Sequence, residues 1–145
     1  MSRINIDLPD SPLYETEMRV RISDVNYANH LSNDAIWGFV NEARVQFLYS
    51  RGFSEADVDG KAIILGDSAA RFENQAFYGE PISLEVYADD FTEHSCSLYF
   101  HLYHADKGYT IAKAMNGLVF FDYHNQSVCD VPKAFVEACI PLEVD

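Results

Sequence analysis

Positive charge is scarce in this chain: 10 lysines and arginines stand against 23 aspartates and glutamates in 145 residues, a formal net charge of -13. Such a chain repels a polyphosphate backbone and no Lys/Arg cluster interrupts the deficit, so nucleic acid is not an expected partner. The same deficit works against any anionic small molecule unless basic residues gather around its phosphates. Long apolar runs are missing too. The longest, such as residues 62–65 and 118–121, fall far short of the ~20 residues that a membrane-spanning helix requires. No membrane association is expected. Residues 1–7 carry an arginine but no apolar block or small-residue cleavage site, which points to a cytoplasmic location. Cysteine is sparse: Cys96, Cys129 and Cys139 form an odd set without C-x-x-C spacing. Neither a disulfide scaffold nor a metal site is expected from them. His101 and His104, with Tyr99 and Tyr103, lie in a strand without a third ligand in recognisable spacing, so they too read as packing residues rather than metal ligands.

What is present is enough for one core. With 48% hydrophobic residues and no repeat or linker, residues 1–145 read as a single domain, which at this size buries roughly 70% of its unfolded surface. Tyr14, Thr16, Met18, Val20 and Ile22 alternate with polar residues in the period-2 pattern of a half-buried strand ending at Asp24. After a polar segment, Asn33 and Asp34 offer a helix cap and a dipole-favoured acid, and Ile36, Phe39, Val40, Ala43 and Phe47 recur at helical spacing as far as Gly52. Trp37, Val45 and Leu48 lie off that stripe, so the helix is apolar over much of its girth and calls for enclosure. Four strands follow, over residues 62–74, 82–91, 96–104 and 109–123, with short turns between the last three that suit antiparallel neighbours. A closing helix over 132–138 has proline at its first turn. One strand, one long helix and four more strands predict an α+β domain in which an antiparallel sheet wraps around the helix.

The stretch Arg21-Ile22-Ser23-Asp24-Val25-Asn26-Tyr27-Ala28-Asn29-His30-Leu31-Ser32-Asn33, followed by Asn41-Glu42-Ala43-Arg44-Val45-Gln46-Phe47-Leu48, resembles the 4-hydroxybenzoyl-CoA thioesterase family. That family's pattern is R-x-S-D-x-D-x-x-G-H-V-N-N, then x-E-x-A-R-x-x-F-L in the helix. Phe77-Tyr78-Gly79-Glu80-Pro81 is similar to the family's turn ending in Gly-Asp/Glu. Gly117-Leu118-Val119-Phe120-Phe121-Asp122, with Val131-Pro132, is similar to its closing V-F-x-D and later proline. The resemblance runs from about residue 14 to 135 in order. It implies a hotdog fold with an antiparallel five- to six-stranded sheet around one long central helix, a homodimer or homotetramer, and hydrolysis of an acyl-CoA or acyl-carrier thioester between subunits. No cofactor is implied beyond the coenzyme A of the substrate.

Thioester hydrolysis needs a group that activates water or attacks the carbonyl, and donors for the developing oxyanion. Family members usually supply the first from the second Asp of D-x-D, and that position is Asn26. An amide orients water or donates a hydrogen bond but does not act as a base. The candidates for the missing role are Asp24, placed on the same strand face if the extended conformation persists; His30, whose imidazole exchanges protons near neutrality; and Glu42. Each also has a structural reading: a turn residue for Asp24, a fixer of the loop and helix start for His30, and for Glu42 a buried anchor pairing with Gln46 or an arginine such as Arg44. Asn29 stands where the family has glycine and tolerates left-handed backbone. Backbone N–H groups around Leu31 to Asn33 are the candidate oxyanion donors. Tyr27 and Trp37, with Phe72 and Phe77, are candidates to line an acyl pocket. Two other functions compete: a hotdog enoyl-CoA hydratase, because Asp24, Asn26 and His30 are similar to a D-x-N-P-x-H element, and a non-catalytic acyl-thioester-binding or assembly protein.

Overall fold

The structure, a computed structural model, describes residues 3–141. Its centre is a helix, α1 (Asn33–Ser50). Ser32 holds an extended backbone just before it, and its hydroxyl accepts the N–H of Ala35, while Asp34 sits in the first turn. The expected cap at Asn33 thus moves to Ser32, because Asn33 already has entered the helix and cannot fold its side chain back over the open turn. Ile36, Phe39, Val40, Ala43 and Phe47 are buried as the spacing predicts, and Leu48 joins them, whereas Val45 stays exposed.

The sheet around this helix has six antiparallel strands: β1 (Tyr14–Arg19), β2 (Ala62–Phe72), β3 (Pro81–Asp89), β4 (Ser95–His104), β5 (Thr110–Asp122) and the two-residue β6 (Ser127–Val128). Their order is β1-β3-β4-β5-β2, with β6 added to β5. The α+β fold with an antiparallel sheet about one main helix is the architecture expected. Strand alternation drives it. Ile82, Leu84 and Val86 of β3, Leu98, Phe100 and Leu102 of β4, and Ala112, Ala114, Leu118 and Phe120 of β5 are all buried on the helix-facing side, each burial of a large side chain being worth about 1.5–3 kcal/mol before entropy is counted. The closing helix α2 (Lys133–Ala138) inserts Phe135 against Phe53 and Phe120.

Two local expectations fail. β1 stops at Arg19 rather than running to Asp24, and residues Ile22–Asp24 coil into a 3-10 turn that leaves Ile22 69% exposed. The turn closes because the Asp24 carboxylate accepts the backbone N–H of Arg21 at 2.8 Å and its guanidinium Nε at 3.1 Å. Around the helix, the anchor is Arg44 rather than Glu42. Arg44 is buried and donates to Glu55 at 2.8 Å, to the side-chain oxygen of Asn116 at 2.7 Å and to that of Asn41 at 2.9 Å. Three acceptors are what a guanidinium inside an enclosed helix requires. Glu42 is exposed and makes no hydrogen bond or ion pair among the described residues.

The end of β5 carries an acid-sensitive lock. Asp122 accepts Lys61 at 3.0 Å and the backbone N–H groups of His124 and Asn125. The hydrogen bond from Lys61, ahead of those from Asn125, lowers its carboxyl from the usual 3.8 to about 2. A depressed acid contributes stability above its unfolded pKa and loses it as pH falls through the folded value. Denaturant unfolding of wild type therefore weakens between pH 4 and pH 2 more steeply than that of Asp122→Asn; parallel curves would show that this carboxylate has no such role. In the core, Phe100→Ala is expected to cost about 3–5 kcal/mol in urea unfolding at constant m-value.

Candidate active site

The polar segment between β1 and α1 is a loop held by its own backbone. Val25 and Leu31 pair as an isolated bridge, the Asn26 N–H donates to the His30 carbonyl at 2.8 Å, and the Asn29 N–H donates to the Asn26 carbonyl at 2.9 Å. The side-chain oxygen of Asn26 accepts the N–H groups of Ala28 at 3.0 Å and His30 at 3.2 Å. Asn26 is thus the staple of a tight loop, a use that Asn and Asp side chains serve well. Asn29 supplies the reversal with φ of 66°, the left-handed conformation that a glycine would otherwise take.

A second set of bonds seats this loop on the segment before β3. Leu31 N–H donates to the Ala76 carbonyl at 2.8 Å, and His30 pairs with Phe77 as an isolated bridge, its ring meeting the Phe77 ring edge-on at 5.2 Å. Ser32 N–H donates to the Asp24 carbonyl. Of the three amides proposed as oxyanion donors, those of Leu31 and Ser32 are therefore spent on the fold. The N–H of Asn33, first residue of α1, has no partner among the described residues. It lies where the helix dipole adds partial positive charge. Beside it, the Asp34 carboxyl is lowered by the Ser32 hydroxyl and then by the backbone amides of Asp34 and Ala35.

The residues singled out in the sequence divide between two cavities. One, of about 260 Å³, is lined by Asn26, His30, Leu31, Asn33 and Ile36 together with Phe72, Glu73, Asn74 and Gln75 from the end of β2. The other, of about 520 Å³, is lined by Asp24 and Glu42 with Met18, Arg19, Arg21, Ala35, Gly38, Phe39 and Gln46. Asp24 and Asn26 do not share a face, because the 3-10 turn breaks the alternation that would have aligned them. Asp24 is 6% exposed, with its carboxylate committed to Arg21, and that bond raises the Arg21 guanidinium. Tyr27 stands fully exposed at the loop tip, and Trp37 is half-buried against the core; neither lines either cavity.

The larger cavity holds Asp24, bonded to Arg21, and Glu42, which makes no side-chain hydrogen bond or ion pair among the described residues. The smaller holds a free helix N-terminal amide and an imidazole whose ring nitrogens carry no hydrogen bond among the described residues. Sequence reasoning missed its second wall, Glu73 to Gln75. Those residues come directly after β2, about forty positions beyond the motif, and only the sheet order brings them alongside. Elsewhere, Glu93, His94 and Asp130 offer three ligand atoms within 4.8 Å of one another, all on exposed side chains outside both cavities. No helix among the described residues is long and apolar enough to cross a membrane.

Comparison with known proteins bears on this arrangement. Among solved structures, the fold is similar to a 1,4-dihydroxy-2-naphthoyl-CoA thioesterase from Synechocystis, with a TM-score of 0.79 at 17% identity over 87% of this chain and 94% of that one. It is similar to a gentisyl-coenzyme A thioesterase, with a TM-score of 0.76 at 17% identity over 88% and 100% of the two chains. A hypothetical protein from Aquifex aeolicus superposes with a TM-score of 0.77 at 17% identity over 88% and 99%. No curated protein sequence matches. The family profile of the thioesterase-like superfamily, however, matches residues 20–139, a span that takes in the motif loop, α1 and the whole of β2 to β6, and the chain belongs to that superfamily.

Proposed function

We propose that this protein hydrolyses an acyl-CoA thioester to a free acid and coenzyme A, and that the reaction takes place in the cavity at the N-terminus of α1. The observation that carries the reading is the convergence there of the unpaired Asn33 N–H and the unbonded His30 imidazole. In this arrangement the thioester carbonyl oxygen points at the Asn33 N–H, where a backbone donor and the helix dipole stabilise the oxyanion that forms. His30 takes a proton from water, the hydroxide attacks the carbonyl carbon, and collapse of the tetrahedral intermediate breaks the C–S bond as the thiolate leaves. Asn26 keeps the loop in shape and takes no proton. Coenzyme A is taken as the carrier because the two thioesterases just compared act on CoA thioesters.

The working unit in this reading is a homodimer. At about 260 Å³ the cavity falls below the ~300–1,000 Å³ usual for small-molecule sites. Beside it β2 is the free edge of the sheet, eleven residues long, with Ile64, Leu65 and Phe72 each between 39% and 48% exposed. A long apolar edge invites pairing with a second strand. A second copy on β2 would close the cavity and cover the edge together.

The test is thiol release from acetyl-, octanoyl-, palmitoyl- and benzoyl-CoA by wild type, His30→Gln, Glu42→Gln and Asn26→Asp. His30→Gln is expected to lose ~10²- to 10⁴-fold in kcat, Glu42→Gln to stay near wild type, and Asn26→Asp to keep its fold and remain active. Loss confined to Glu42→Gln would move the chemistry to the larger cavity, and hydration of crotonyl-CoA without any thiol release would sink the reading.

A further inference from the structure

His104 is the last residue of β4 and is 2% exposed, yet every polar atom of its ring is engaged. Nδ1 accepts the N–H groups of Asp106 at 3.2 Å and Lys107 at 3.1 Å. An atom that accepts two amides carries no proton, so the ring proton is on Nε2. Nε2 donates to Oε2 of Glu80 at 2.7 Å. The other oxygen of the same carboxylate, Oε1, accepts the N–H of Phe77 at 2.8 Å. Phe77 is the residue whose backbone pairs with His30 and whose ring meets the His30 ring. One residue earlier, Ala76 accepts the Leu31 N–H; one before that, the Gln75 carbonyl accepts the hydroxyl of Tyr109, whose ring lies 5.2 Å from that of His104. Gln75 lines the small cavity. A buried imidazole and a largely buried carboxylate thus grip the segment on which the motif loop rests.

We infer that Glu80 and His104 are positioning residues for the hydrolytic site, setting the place of His30 and of the Asn33 N–H through Phe77 and Ala76. This rests on the hydrolytic reading of the small cavity given above. The physical ground is economy of alternatives. Two apolar residues of similar volume would fill this part of the core at no loss of stability, since desolvating an ionisable pair offsets much of what the pair returns. What apolar residues would not do is hold a backbone amide at a defined point. A carboxylate with one oxygen fixed by a ring of settled tautomer and the other by a main-chain N–H does so. Displacement of a reacting group by about 1 Å is worth ~10²-fold in rate, so the grip matters more to turnover than to folding.

Glu80→Gln tests this with little change of shape. Its amide oxygen can still accept Phe77, but its NH2 then faces the Nε2–H of His104, and the ring cannot exchange tautomers without releasing Asp106 and Lys107. His104→Gln gives a second approach, keeping a donor toward Glu80 while letting go of those two amides. On the acyl-CoA of the panel that wild type cleaves fastest, kcat is expected to fall ~10- to 100-fold in Glu80→Gln with KM within about twofold. The loss is smaller in His104→Gln, and the double variant is no worse than Glu80→Gln. Hydrogen exchange at residues 24–33 speeds up while the amides in the middle of α1 keep their protection. Unchanged kcat in Glu80→Gln overturns the inference, as does a loss that tracks a fall in melting temperature with α1 exchanging faster in step. Exchange needs no turnover: should wild type cleave none of the panel, the hydrolytic reading fails, and faster exchange confined to 24–33 still supports the positioning role while its absence overturns it.

Discussion

Everything in this molecule hangs on the enclosure of α1. A helix with Ile36, Phe39, Val40, Ala43, Phe47 and Leu48 buried has no stable exposed state in water, and the sheet covers the face that carries them, leaving Asn41, Glu42, Val45 and Tyr49 on the exposed side. Enclosure fixes the helix axis, and the axis fixes where its N-terminus emerges. Arg44 shows how strict the requirement is: a charge on the enclosed helix is tolerated because Asn41, Glu55 and Asn116, from three separate parts of the chain, converge on it. The bonds to Glu55 and Asn116 leave the helix, so rotation or sliding of α1 breaks both of these charge-assisted bonds together.

The loop before α1 answers to that fixed end. Its contacts run in both directions, to the helix start through Ser32 and Asp24 and to the β2–β3 connection through Leu31 and His30. Nearly all of them are made by backbone. Side chains that look chemical in one dimension are nonetheless spent: Asp24 closes a turn and Asn26 staples a loop, while the His30 ring and the Asn33 N–H carry no hydrogen bond among the described residues. Function here is what remains after the fold has taken its share of polar atoms.

The strands and the helix were legible in the sequence because hydropathy repeats along them. Leu98, Phe100 and Leu102 alternate with polar neighbours, and Ile36, Phe39, Val40 and Ala43 fall on one helical stripe, so both kinds of element announce their buried faces. The motif marks the segment before α1 as the candidate site. Its internal geometry was not legible. The 3-10 turn at Ile22–Asp24 is made by one carboxylate reaching a backbone N–H, which leaves no periodic trace. The partners of Arg44 include a residue 72 positions away, and the Glu80–His104 contact joins the turn before β3 to the end of β4 across 24. Such pairs are set by strand order and register, which hydropathy does not encode. The division of Asp24 and Glu42 from Asn26 and His30 follows from that turn and from the side of α1 each residue faces.

The staple at Asn26 has a consequence for how this chain and its relatives diverge. The two N–H groups that it receives ask only for an acceptor oxygen, and an amide and a carboxylate offer one of the same size at the same place. The loop therefore cannot tell asparagine from aspartate. A lineage can exchange one for the other in a single step with no compensating change elsewhere, so selection on the shape of this segment and selection on its acidity act separately. The shape of the segment rests on one acceptor oxygen, and its acidity on what the rest of that side chain carries.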